Sequence, residues 1–337
     1  MAYILEGLNF GNVFNVSGGR NSFGTGRIGG GWRQHKPLKL IPGYCWDGTT
    51  FISKTTTWNP RPGKMPLRSD LQSEKYLPDC VYVDWRKGIV LNDISWSGPG
   101  AAILLNLNIW QEFTKPFLIS FGTVGQTKST RLLEIHDFCG FLAMTRRIRP
   151  HFLTKFGLEI NDFCPNVDHD PQSQLNEAPV KFKVARMLLP DVPLVWKISA
   201  LISPEDIKKV TDSGLIDGLA VSNTIPWLEN ATWTKKSGTQ IDWQGLFGTD
   251  ISPLRQRGYG DGGLSGWPML NLVVDWVATA RDIGITIPIK AEGGIQKQAD
   301  ILRLANVGAD AIGLGCVSFL RPWRLKKLID FGNMVLE

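Results

Sequence analysis

Short apolar and β-branched runs recur along the chain, and most of them close on Gly, Ser, Asn or Lys. Residues 12–17, 50–54, 117–122, 158–162, 194–199, 219–223, 287–292 and 311–315 make eight such runs. Several are almost continuously apolar, the pattern of strands covered on both faces. Between the later runs the apolar spacing changes to three and four residues, as in helices that bury one side. One helix opens at Ser203-Pro204-Glu205-Asp206, with a hydroxyl to accept a free N–H and proline in the first turn. Two more are expected over 270–281 and from about 297 to 306, the second stopped by a turn at Gly308.

Strands alternating with helices predict a parallel sheet, and eight strands with polar C-terminal ends predict a closed (β/α)8 TIM barrel, α/β in class. With no internal repeat and no low-complexity linker, residues 1–337 are expected to form a single domain. A doubly wound sheet fits less well, because no Gly-x-Gly-x-x-Gly follows the first run. Residues 56–116 carry Pro and Gly clusters too irregular for one βα unit. They read as an excursion over the C-terminal rim of the strands, where barrel active sites are assembled.

Composition adds exclusions. At 43% hydrophobic and 20% charged residues the chain is globular in type. No stretch approaches the roughly 18 apolar residues of a membrane span, and the N-terminal segment lacks the basic-then-apolar order of a signal peptide. No membrane association and a cytoplasmic location are therefore expected. Cys45, Cys80, Cys139, Cys164 and Cys316 are scattered without a Cys-x-x-Cys pair, so neither a disulfide framework nor a metal site is expected. The net charge is +6, with basic clusters at Arg146-Arg147-x-Arg149 and Arg321-x-x-Arg324-x-Lys326-Lys327. They are not interleaved with aromatics as in a nucleic-acid module, which leaves solvated faces or sites for anions.

Two glycine signals, Ala291-Glu292-Gly293-Gly294-Ile295 and Ile312-Gly313-Leu314-Gly315-Cys316, fall at the ends of the last two runs. There backbone N–H groups of a barrel commonly hold a phosphate. The pair points to a phosphate-bearing ligand without separating FMN from a sugar phosphate or a nucleotide.

Further motifs follow in order. They are Asn15-Val-Ser-Gly18, Ser53-Lys54-Thr55, Asn59-Pro-Arg-Pro-Gly63, Pro66-Leu-Arg68, Glu159-Ile-Asn161-x-x-Cys164-Pro165-Asn166, Trp196-Lys197-Ile198, Ser222-Asn223-Thr224, Gly262-Gly263-Leu-Ser-Gly266 and Gly293-Gly294-Ile295. From about residue 12 to about residue 320 this series resembles the dihydroorotate dehydrogenases, flavin oxidoreductases of pyrimidine biosynthesis.

The resemblance implies FMN as cofactor and dihydroorotate as substrate. It makes Cys164 the base that removes the C5 proton while C6 gives a hydride to flavin N5, with Lys54 and Lys197 beside it. Asn92, Asn161, Asn166 and Asn223, with Thr224 and Lys54, would hold the pyrimidine, an amide offering both donor and acceptor to its N–H and C=O groups. Ser17, Gly18, Lys54, Asn161, Lys197, Ser222, Gly266, Gly293, Gly294, Gly315 and Cys316 would hold FMN, Cys316 through its backbone N–H near the phosphate. A general base of this kind is worth about 10²–10⁴ in rate. An ordinary thiol, with a pKa of about 8.5, is mostly protonated at neutral pH, so flavin reduction should quicken as pH rises. Lys197 lies in an apolar run, and a buried ammonium needs an anion; the reduced flavin is the one expected.

Cysteine rather than serine at the base position implies the soluble class, and Pro-Arg-Pro-Gly leans toward the branch that pairs with an iron–sulfur electron-transfer flavoprotein subunit. A homodimer is also implied. Fumarate, NAD through a partner, or another acceptor all fit as oxidant. Two other readings stand beside this one: a paralogous FMN oxidoreductase acting on another dihydropyrimidine or a cyclic imide or enone, and a non-catalytic flavoprotein subunit. Relatives that oxidise dihydropyrimidines have His where this chain has Asn166.

The chain departs from the family pattern in three places. Phe163, after Asp162, replaces a serine before the base. Ser95 and Trp96 replace Gly and Leu in the loop after Asn92, which should reshape the carboxylate end of the pocket. Asp168-His169-Asp170 places acids in the segment expected to act as a lid, where they would disfavour an anionic substrate unless they face away.

Overall fold

The computed structural model describes residues 3–24, 31–148, 152–167 and 169–337. Among them, parallel strands run side by side in the order Val13–Asn15, Ala311–Leu314, Ile289–Glu292, Gly218–Val221, Leu194–Ile198, Phe156–Asn161 and Phe117–Phe121. Residues 50–56 close the ring. Thr50 bridges Phe14 on one side, while Ile52 and Thr56 bridge Leu118 and Phe121 on the other. All eight expected runs therefore take their places in a (β/α)8 barrel.

The second position is held by separated backbone hydrogen bonds on both sides, and side chains fill the gaps between them. The Asn15 amide donates to the Ile52 carbonyl at 2.8 Å and accepts from the Ile52 N–H at 3.1 Å. The Ser53 hydroxyl accepts the Ser120 N–H at 2.9 Å. These bonds satisfy backbone groups that a neighbouring strand would otherwise pair.

Helices cover the outside at Lys128–Ile148, Pro171–Leu188, Pro204–Thr211, Leu270–Asp282, Gln298–Asn306 and Leu325–Val335. The Ser203 hydroxyl caps the third of these, accepting from the Asp206 N–H at 3.1 Å. The first two escape apolar periodicity for a physical reason. Pro171–Leu188 contains Pro179 and buries Gln174, Glu177 and Lys181 on its inner face. Lys181 is matched there by Asp162 at 2.7 Å, and Glu177 by Arg131 of the preceding helix. Ion pairs therefore interrupt the apolar stripe of Leu175, Ala178, Phe182 and Ala185 and share this seam with it.

The excursion contains order that its glycines and prolines conceal. Val81–Asp84 and Ile89–Asn92 form an antiparallel hairpin, extended by Gly263–Gly266 and then Ile225–Pro226 into a four-stranded sheet at the rim. Val-Tyr-Val-Asp and Ile-Val-Leu-Asn flanking a short turn with Gly88 carried the signal. At the opposite end the barrel is plugged by an apolar layer including Tyr3, Phe10, Phe14, Leu118 and Val195. No described helix is long and apolar enough to cross a membrane.

Candidate active site

Above the apolar plug, the barrel interior turns ionic. Lys290 lies 2.9 Å from Glu159 and 2.7 Å from Glu292. Lys197 lies 2.8 Å from the other Glu292 oxygen and donates to the Ser17 hydroxyl at 3.1 Å. Strand alternation puts Lys290 and Glu292 on one face, two residues apart. Gly313 on the neighbouring strand leaves room for them, since a Cβ there would stand 2.6 Å from Glu292 Cγ. Burial works against the charge of Lys197, but Glu292 and Glu159 outweigh it and hold its pKa above the usual value. The counter-ion expected from a reduced flavin is thus supplied by the protein as Glu292. The period-two placement of Lys290 and Glu292 in an otherwise apolar run was the signal for it.

One layer higher, at the C-terminal rim, the sequence-predicted polar residues come together. Asn161 accepts from the Asn223 amide at 2.8 Å and donates to the Thr55 hydroxyl at 3.1 Å. Asn166 donates to the Asn92 amide oxygen at 3.0 Å. The four asparagines thereby form two pairs drawn from separate segments. Thr224 packs against Gly263, where an added Cβ would stand 2.1 Å from its hydroxyl oxygen and 2.9 Å from Pro165.

Cys164 and Lys54 sit among these amides and feel each other's charge. Burial pushes the Cys164 thiol up to about 11, against the pull of the Asn166 N–H, Lys197 and Lys54. Burial also lowers Lys54 to about 8. Its ammonium donates to the Ser97 carbonyl, and among the described residues no carboxylate pairs with it.

The departures from the family pattern take specific places. Phe163 is buried against Trp196, ring centroids 5.7 Å apart, so it belongs to the wall outside the strands. Asp162 likewise faces outward, accepting from Trp196 at 3.1 Å and pairing with Lys181. Ser95 and Trp96 both have positive φ, 57° and 54°. Ser95 donates to the Asn166 carbonyl at 2.9 Å. The buried Trp96 ring fills the space over Gly122, where a Cβ would stand 2.4 Å from it. Asp170 caps the helix Pro171–Leu188, its carboxylate accepting from the Ser173 N–H at 2.7 Å. Asp168 and Arg149 lie outside the described residues. No group of three His, Cys, Asp or Glu side chains among the described residues is placed to hold a metal.

The remaining positions ring the same rim. Ser17 and Gly18 follow the strand Val13–Asn15, Gly293 and Gly294 follow Ile289–Glu292, and Gly315 and Cys316 follow Ala311–Leu314. Gly294 has φ 85°, and a Cβ there would meet the Leu270 backbone at 2.6 Å. The glycine lets the turn after the strand and the start of the next wall touch. Gly266 likewise approaches the Gly88 carbonyl. Ser222 is committed to the backbone, accepting from the Ala200 N–H at 2.8 Å and donating to the Asn223 carbonyl at 2.6 Å. Burial pushes the Cys316 thiol up to about 12. Two residues on, the Ser318 hydroxyl is buried with no hydrogen-bond partner among the described residues. A glycine-lined end carrying an orphaned hydroxyl, with Lys197 close by on Glu292, is a cradle of the kind a phosphate-bearing cofactor such as FMN requires.

No protein-family model matches the chain. It is 27% identical over 176 residues to the catalytic subunit of dihydroorotate dehydrogenase B (NAD(+)) of Enterococcus faecalis, covering 51% of this chain and 50% of that one. It is 24% identical over 245 residues to the protein of the same description from Listeria welshimeri, covering 71% and 70%. The match with the first spans about half the length of that relative. Among solved structures, the DHODH of Eimeria tenella in complex with ferulenol superimposes with a TM-score of 0.65 at 17% identity, covering 97% of this chain and 81% of that one. The ligand-free form gives 0.67 at 16%, covering 98% and 85%. In fold the chain matches the dihydroorotate dehydrogenases, and in sequence it is similar to catalytic subunits of their B type.

Proposed function

We propose that this chain is an FMN-dependent oxidoreductase that converts (S)-dihydroorotate to orotate in de novo pyrimidine biosynthesis. The observation that carries the reading is Lys54, a buried ammonium beside the Cys164 thiol with no carboxylate among the described residues to balance it. Such a cation is costly until an anion joins it, and the substrate's carboxylate is an anion of the right size. The two asparagine pairs offer amide donors and acceptors in the alternation that a dihydropyrimidine ring presents.

Bound FMN would supply the hydride acceptor. Ser17, Gly18, Lys54, Asn161, Lys197, Ser222, Gly266, Gly293, Gly294, Gly315 and Cys316 are the residues assigned to hold it. Cys164 takes the proton from C5 of the substrate. Its high pKa means that the thiolate is the minor form at neutral pH, and Lys54 and Lys197 favour it by their charge. Asn161, Asn223, Asn92, Asn166 and Thr224 fix the ring so that the C5 hydrogen faces the sulfur. In this reading the chain works as a homodimer in the cytoplasm. Reducing NAD requires a companion electron-transfer flavoprotein or iron–sulfur subunit, as the description "catalytic subunit" of the relatives suggests.

The test is anaerobic mixing of the purified yellow protein with dihydroorotate. Bleaching of the flavin is expected, and its loss in Cys164→Ala with FMN still bound. A yellow protein that no dihydroorotate concentration bleaches overturns the substrate; a colourless one that takes up no FMN overturns the cofactor. A second reading, another dihydropyrimidine or a cyclic imide or enone as substrate, is favoured by Trp96 filling the rim over Gly122. Bleaching by such a compound and not by dihydroorotate would establish it.

A further inference from the structure

The FMN reading assigns Lys197 to the flavin but leaves Glu292 without a role. Glu292 ends its strand directly before Gly293 and Gly294, and it touches both interior lysines. The two links differ in consequence. Lys290 has a second partner in Glu159 at 2.9 Å, so it keeps a counter-ion if Glu292 is neutralised. Among the described residues Lys197 has just the Ser17 hydroxyl as a hydrogen-bond partner besides Glu292, Glu159 acting on it without direct contact. The four buried side chains Lys197, Lys290, Glu159 and Glu292 carry two positive and two negative charges. Removing the charge of Glu292 leaves one positive charge in excess, located at the lysine nearest the rim. A matched ammonium projects a weak field onto its surroundings, whereas an unmatched one in the same low-dielectric wall projects a strong one.

Building on the FMN reading, we propose that Glu292 is a positioning residue that sets the redox balance of the flavin site. It offsets much of the field of Lys197 at the flavin, so that reduced FMN gains little extra affinity over oxidised FMN. Two electrons and one proton carry FMN to its anionic reduced form. In turnover the electrons arrive with the substrate's hydride; in an anaerobic titration the xanthine–xanthine oxidase couple provides them. Lys197 then serves chiefly as a fixed hydrogen-bond donor, and the drive for flavin reduction must come from the substrate and from the eventual acceptor.

The test is the reduction potential of the FMN-loaded protein, measured by slow anaerobic reduction against a reference dye. In Glu292→Gln the potential is expected to rise, the ratio of reduced to oxidised FMN affinity growing about tenfold or more. An unchanged or lowered potential in a variant that still holds FMN overturns the proposal. If Glu292→Gln does not fold, the double variant Lys197→Met/Glu292→Gln, which removes a matched pair, is read instead. Its affinity ratio should stay within about twofold of the parent. A tenfold fall would mean that Lys197 was never cancelled. A parent protein that binds no FMN sinks the cofactor reading itself, an outcome separable from both.

Discussion

Lys197 and Lys54 lie on the same barrel wall system and are both buried, yet they live in opposite electrostatic settings. Lys197 is matched by Glu292 inside the barrel, and its charge is reinforced. Lys54, one layer up at the rim, has a carbonyl for company and a pKa lowered to about 8. Charges buried inside the barrel are balanced by the fold; on the proposed reading, the one left unbalanced at the rim is held for the substrate's carboxylate. The contrast separates architecture from function more clearly than burial does, since both lysines are equally inaccessible.

The strongest test of that contrast removes a charge from the matched layer. Lys290→Met leaves Glu159 without its closest partner, and breaking a buried pair in this way costs about 3–5 kcal/mol. Denaturant unfolding should show that loss, while Lys54→Met, which removes a cation without stranding an anion, should leave stability equal or higher. If both variants lose the same stability, the distinction fails. Next in size, Cys164→Ala should slow flavin reduction by dihydroorotate about 10²–10⁴-fold in rapid-mixing experiments, with FMN content unchanged.

Lys54→Met should then weaken substrate binding about 10- to 100-fold, the worth of a hydrogen bond to a charged group. Flavin titration with the product orotate reads this directly, and an unchanged affinity would place the substrate's carboxylate elsewhere. The smallest effect is in pH. Above about 8 the free protein loses the Lys54 proton, so the dissociation constant of an anionic ligand should rise by up to about tenfold per pH unit and level off at the Lys54→Met value. Over the same range the reduction rate at saturating substrate should climb, because the Cys164 thiolate fraction grows until about 11. Two opposed pH trends from neighbouring groups would sharpen the comparison; parallel trends would undo it.

Much of this was legible in the chain. The eight runs gave the barrel, because strands buried on both faces need no polar interruption. The asparagines, Cys164 and Lys54 were found through the motifs that carry the family resemblance, and they do converge. What escaped had its polarity hidden by pairing. The helix Pro171–Leu188 reads as irregular because Lys181 and Glu177 turn inward to meet Asp162 and Arg131. Glu292 looked like part of a glycine turn because its partner Lys197 is 95 positions away. Phe163 looked like a change in the pocket, but it follows the end of its strand, and there its ring packs against Trp196 on the outer wall, beside the outward-facing Asp162.

The closure of the ring through the Asn15 side chain has a dynamic consequence. Seven neighbouring strands are joined by continuous backbone ladders, whereas residues 50–56 are joined by separated backbone hydrogen bonds, with amide and hydroxyl side chains filling the gaps. Local opening follows the weakest cooperative contacts, so amide hydrogen exchange in residues 51–56 should outpace that in 194–198. Such opening would expose Lys54 before Lys197. The barrel is therefore a cylinder with a zip, and the unpaired cation is sewn beside the teeth.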